Sequence, residues 1–167
     1  MSDWKAARRS FYYENAEPPD DITLSSRATA LLVIDIQNTY VQPPEDPVEA
    51  KRWQPFLERM NTQVIPTTAS LLEWARNAHI EVIFARIACQ TLDGRDRSLS
   101  QKKPGFNYLL LPKDSEESQV VDALSPQGDE IVVTKTPDSA VTGTNLGLTL
   151  QNLGIKDVIV AVIFTVQ

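Results

Sequence analysis

The chain of 167 residues contains one cysteine, Cys89, and one histidine, His79. A single cysteine excludes an internal disulfide and favours a reducing, cytoplasmic setting. Basic residues are also short: 16 Lys and Arg stand against 22 Asp and Glu, a formal charge of −6. That balance argues against nucleic acid as the main partner, because such proteins carry basic surfaces. No run approaches the roughly 18 uncharged apolar residues that a membrane-spanning helix needs. Arg8 and Arg9 are followed by no apolar stretch, so the N-terminus does not read as a secretory signal. The six glycines form no phosphate-cradling loop, which argues against nucleotide binding.

What is present is an ordinary globular composition, 42% hydrophobic and 23% charged, long enough for one domain with a real core. Residues 1–27 are polar and irregular, broken by "AEPPDD", and read as an N-terminal arm; residues 28–167 read as the domain. Residues 29–36 predict a first buried strand, and "NTYVQPPEDPVEAKRW" a Pro-rich acidic loop. Phe56, Met60, Val64, Leu71, Leu72 and Ala75 recur at helical spacing, and Pro66 predicts a kink or two helical pieces there. Further strands are predicted at 80–88, 130–136 and 157–165, and a helix at 142–154 that stops at Gly154. Residues 89–128 read as loop with short helical pieces. Near-continuous Val/Ile runs alternating with helices predict an α/β fold, a doubly wound, mostly parallel sheet with helices on both faces.

Within "ALLVIDIQ" a carboxylate, Asp35, interrupts an apolar strand, and Lys135 ends the strand "IVVTK". Open parallel sheets bind ligands at the carboxyl ends of their strands, which is where both charges fall. A buried lone charge is costly, so each needs a partner and each can serve the other. The two are expected within a few Å of each other, either as a plain buried ion pair or as part of a site.

"ALLVIDIQNTY" followed by "VTKTPDSAVTGTNLGLTLQNLGIKDVIVAVIFT" resembles the isochorismatase-like cysteine hydrolase superfamily, from about residue 28 onward. The resemblance rests on the order and spacing of Asp35 and Gln37, Lys135, Ser139-Ala140-Val141, Thr144 and Leu146, and Gly154-Ile155. It implies a Rossmann-like hydrolase fold, a small-molecule substrate, no cofactor and a homo-oligomer. It implies Asp35 and Lys135 as catalytic residues, and Gln37, Tyr40, Ile163, Phe164 and Thr165 as substrate-binding residues. In the family a turn of the form Gly-x-x-Thr-x-x-Cys follows the last of these strands and carries the nucleophile. Aligned here it runs from Val162 to Gln167, and the cysteine would come next, so the domain is expected to be C-terminally incomplete. Val162 replaces the glycine, Val166 an acidic residue, and Val141 a phenylalanine. The family's non-proline cis peptide aligns with Ile163–Phe164. The reaction implied is hydrolysis of a small amide or ureido C–N bond. The alternatives are vinyl ether hydrolysis with Asp35 as general acid, and a non-catalytic chain.

The remaining candidates have plainer readings. Cys89 follows the second strand, not the fourth, and reads as a small buried thiol. His79 ends the long helix, where its charge suits the dipole and its side chain tolerates a tight turn. Family nicotinamidases bind a metal through histidines after the second strand; "RIACQTLDGRDRS" has none, so no metal is expected. The arginines of "LDGRDRS" are placed either to hold a carboxylate substrate or in a solvated loop.

Overall fold

The computed structural model describes residues 9–17, 20–104 and 109–163. Four strands, β1 (Thr29–Ile34), β2 (Glu81–Ile87), β3 (Ile131–Lys135) and β4 (Asp157–Val162), form one sheet in the order β3-β2-β1-β4. All three pairings are parallel, with Leu32 opposite Ile83 and Val160, and Ala85 opposite Val133. The α/β fold expected from the Val/Ile runs is thus the fold observed.

Successive side chains of a strand point to opposite faces, so the buried runs split into two cores. Leu31, Val33, Val82 and Phe84 pack on one face with Met60, Leu72 and Ala75. Ala30, Leu32, Ile83, Ala85 and Val133 pack on the other with Ala140 and Leu146. The first face is covered by the helices α1 (Pro47–Arg59) and α2 (Ile65–Asn77), the second by the short α3 (Leu146–Asn152).

The loop expected over residues 38–53 is in part helix. Asp46 caps α1, its carboxylate accepting from the amides of Val48 and Glu49 at 2.9 Å, and Pro47 is the first helical residue. A proline there loses no hydrogen bond and pre-sets φ, so a residue that breaks helices here begins one. At Pro66 two helical pieces meet, joined by one π-helical turn (Met60–Val64) whose closing bond runs from the Ile65 amide to the Met60 carbonyl. A proline ring crowds the carbonyl four residues back, and the wider turn makes room for it.

Both long connections into strands end alike. His79 (φ 54°) follows α2, with its amide on Arg76 O and that of Ile80 on Ala75 O. Gly154 (φ 70°) follows α3, with its amide on Gln151 O and that of Ile155 on Leu150 O. These paired bonds satisfy the last carbonyls around one left-handed residue. The start of α3 differs from expectation: residues 142–145 form a turn, in which the Thr144 hydroxyl donates to Ala140 O. Beyond Val162 the chain bends at Ile163, and the rest of the strand expected to 165 lies outside the described residues. Among the described residues no helix is long and apolar enough to cross a membrane.

Candidate active site

Asp35 is the first residue after β1 and adopts a left-handed backbone, φ 58°. Its amide still continues the ladder to Ala85 O, while its carbonyl accepts from the Gln37 amide, each at 2.9 Å. Aspartate tolerates this conformation better than most residues with a Cβ. The turn sets the Asp35 carboxylate beside Lys135, the last residue of β3, with Nζ 2.9 Å from Oδ2.

The Lys135 side chain is fully buried. Its ammonium also donates to Asp138 O at 2.9 Å and Pro137 O at 3.5 Å, so its three donors meet three acceptors. Asp35 keeps 15% of its side chain exposed, and its Oδ1 is buried without a hydrogen bond from the described residues. Burial pushes the Asp35 carboxyl above the usual aspartate range; the charge and hydrogen bond of Lys135 offset this only in part.

A cavity of about 860 Å3 opens beside the pair. Its floor is the carboxyl ends of three strands, through Ile34, Ile87 and Val162. The loop after β1 supplies Tyr40, Pro43, Pro44 and Glu45, and α1 supplies Trp53. Asp138, Ala140 and Leu109 complete the opposite wall. The position is the one a parallel sheet offers to ligands.

Of the residues singled out in the sequence, Asp35 and Tyr40 line this cavity and Lys135 stands behind Asp35. Burial, then the charges of Asp35 and Asp138, push the Tyr40 phenol up. Gln37 is fully buried: Nε2 donates to Ile87 O and Ser118 O, and Oε1 accepts from the Ile87 amide. It supports the floor from below instead of facing the cavity. Ile163 packs against the first core, and Val162, one residue earlier, is the one on the wall. Phe164, Thr165 and the Ile163–Phe164 peptide bond lie outside the described residues.

The other candidates fall away from the cavity. Cys89 is buried, its thiol pushed up by that burial and then by Asp96, and it borders a separate void of about 10 Å3. His79 is exposed at the opposite end of the sheet, where β2 begins. Arg95 pairs with exposed Asp93, and Arg97 donates to the carbonyls of Gly94 and Leu109. Among the described residues no group of His, Cys, Asp and Glu is arranged to hold a metal. Sequence reasoning missed Trp53, Glu45, Asp138 and Val162. Asp138 left a signal as a second carboxylate three residues beyond Lys135, and Val162 as the first residue of the aligned family turn.

A parallel sheet with an Asp–Lys pair at its carboxyl edge defines the class, and the isochorismatase domain matches residues 29–165. The chain belongs to the isochorismatase family. It is similar to a cysteine hydrolase from Pseudomonas syringae pv. phaseolicola, with 25% identity and TM-score 0.69 over 90% of this chain and 65% of that one. It is similar to an isochorismatase family protein from Burkholderia thailandensis, with 29% identity and TM-score 0.61 over 84% of this chain and 66% of that one. It shares its fold with N-carbamoylsarcosine amidase from Thermoplasma acidophilum, at 20% identity and TM-score 0.58, over 80% of this chain and 66% of that one. The chain therefore spans just under two thirds of the length of these structures.

Proposed function

We propose that this isochorismatase-family chain carries the acid–base half of a hydrolase site acting on a small amide or ureido C–N bond. One observation carries the reading: the Asp35–Lys135 contact of 2.9 Å in the wall of a strand-end cavity. The likeness to a cysteine hydrolase supports it, and a protein of the same fold is named an amidase.

In this reading a thiol at the family's position, the residue after Gln167, loses its proton to the Asp35 carboxylate. The thiolate adds to the carbonyl carbon. As the tetrahedral intermediate collapses, the C–N bond breaks and Asp35 returns the proton to the leaving nitrogen. Water, giving a proton to Asp35, then cleaves the thioester. Lys135 opposes the effect of burial on Asp35 and lowers the energy of the neighbouring thiolate.

The test is an extended chain with cysteine directly after Gln167, assayed on primary amides and ureido compounds, beside its Asp35→Asn variant. Turnover that disappears in the variant is the expected result. Turnover surviving Asp35→Asn removes Asp35 from the mechanism. Turnover by residues 1–167 that is lost in Cys89→Ser replaces this reading with another nucleophile.

A second reading is favoured by the raised Asp35 carboxyl. A carboxyl whose proton is favoured by burial is suited to protonating a vinyl ether, which needs no thiol. Vinyl ether hydrolysis by residues 1–167, abolished in Asp35→Asn, selects it.

A further inference from the structure

The cavity beside Asp35 carries charge of one sign. Asp35, Glu45 and Asp138 line it, and its described lining contains no lysine, arginine or histidine. Lys135 is fully buried, with its ammonium committed to Asp35 and to two backbone carbonyls. Setting Lys135 against Asp35 leaves Glu45 and Asp138 uncompensated. Asp138 accepts a hydrogen bond from Gln101 Nε2 at 3.0 Å, which fixes the carboxylate without neutralising it. The arginines that the sequence offered for an anionic substrate are spent within their own loop and on Leu109 O.

Glu45 and Asp138 are exposed, so an anion entering this cavity meets like charge that salt can screen, whereas a cation is drawn in. The rest of the lining suits an apolar body, with Pro43, Pro44, Tyr40 and Trp53 on one side. Trp53 makes an edge-to-face contact with Phe56, centroids 5.5 Å apart, which holds the indole in place. A cavity lined by an indole and by carboxylates combines the two kinds of group that attract an ammonium.

We propose that the site selects a small amide with an ammonium group on an apolar body, takes neutral amides less well, and excludes carboxylates, with Glu45 and Asp138 as the residues that set this preference. The amide part rests on the function proposed above; the charge preference does not. It also separates that function from its vinyl ether alternative in the isochorismate form, whose substrate is a dicarboxylate.

Two probes of similar size, benzyltrimethylammonium and benzoate, test the preference by calorimetric titration of residues 1–167 without any turnover. The ammonium is expected to bind about tenfold or more tightly than benzoate at low salt. The difference should shrink as salt is added. It should fall at least about threefold in Glu45→Gln and in Asp138→Asn, and reverse in Glu45→Lys. Equal affinities, tighter benzoate, no binding of either probe, or a preference unchanged in the two neutralised variants would each overturn the proposal. Turnover by the extended chain separates the two readings. Comparable kcat/KM for cationic and anionic amides defeats the charge preference and leaves the amide chemistry standing. Cation binding without turnover of any amide does the opposite.

Discussion

The side chain of Gln37 pairs with the backbone of Ile87 in both directions. Oε1 accepts from the Ile87 amide at 2.8 Å, and Nε2 donates to the Ile87 carbonyl at 2.9 Å. The second Nε2 hydrogen goes to Ser118 O at 2.8 Å. Gln37 thus stands in for a strand beyond the end of β1 and ties it to the end of β2 and to the 115–118 turn. Ile87 lines the cavity, so this link also sets the floor beneath Asp35.

Gln37→Ala takes the side-chain partner from the buried Ile87 amide and carbonyl, while Ser118 O keeps the Arg86 Nη1 donor at 3.3 Å. The expected cost is about 3 kcal/mol, a drop in Tm of about 6–12 °C for a chain of this size. Denaturant and thermal unfolding of the variant check this. A loss below about 1 kcal/mol would mean that water replaces the amide, and that the floor is open to solvent.

Lys135→Met removes the two largest causes that pull the Asp35 carboxyl down, and leaves the Ile87 backbone and the carboxyl's burial in place. The Asp35 titration, followed by carboxyl 13C shifts, should move further above the ordinary 3.8. The sign of the stability change follows. A carboxyl raised on folding binds more protons folded than unfolded, so its favourable contribution is present at low pH and is lost as pH rises through the folded value. The variant should therefore be destabilised most near neutrality, by about 3–5 kcal/mol, and progressively less toward acid. A titration that stays put would mean that Lys135 does not govern Asp35.

Part of this arrangement could be read in the sequence, and part could not. The strands were legible because Val/Ile runs bury on both faces, and the end of α3 because Gly154 takes the left-handed cap without strain. Asp35 and Lys135 were legible as charges at strand ends. Gln37 was not: in a continuing strand it would share the face of Asp35, but the left-handed Asp35 breaks the period of two and turns Gln37 inward. Trp53 was hidden because Pro47 reads equally as a breaker and as a first helical residue. Asp46, whose cap decides between them, lies within an acidic run. The cavity wall joins residues from β1, α1, β2 and β4 and the loop after β3, a juxtaposition that only the assembled sheet creates.

Glu130 and Arg76 offer a pH dependence of the opposite sign. The guanidinium forks onto the carboxylate, Nε to Oε1 at 2.7 Å and Nη2 to Oε2 at 2.9 Å, tying the end of α2 to the start of β3. Burial alone would raise the Glu130 carboxyl, but the Arg76 hydrogen bonds, the Gln127 amide and the Arg76 charge hold it below its ordinary 4.5. The stabilisation is therefore present above about pH 4.5 and is lost as pH falls through the lowered value. Glu130→Gln should cost about 1–3 kcal/mol at neutral pH. The gap between the variant and the parent chain, measured by urea unfolding, should close on acidification. A gap constant from pH 7 to pH 3 would show that the charge contributes nothing.

The last expectation concerns β4. This strand pairs with β1 on one side, and among the described residues no strand pairs with the other. Register places Val158 and Val160 on the face of Ala30 and Leu32, but α3 leaves these two valines 39% and 53% exposed. An open apolar edge offers both unpaired backbone groups and uncovered side chains to another chain. Covering the two valines returns about 1–2 kcal/mol per chain, before any new backbone pairing is counted. Residues 1–167 should therefore self-associate as concentration rises, in line with the oligomer implied by the family resemblance. Val160→Lys places a charge at the centre of that surface and should shift sedimentation toward the monomer, with little loss of stability because the side chain is already half in water. A parent chain that sediments as a monomer at high concentration and unfolds in one sharp transition would show that the β4 edge is not an association surface.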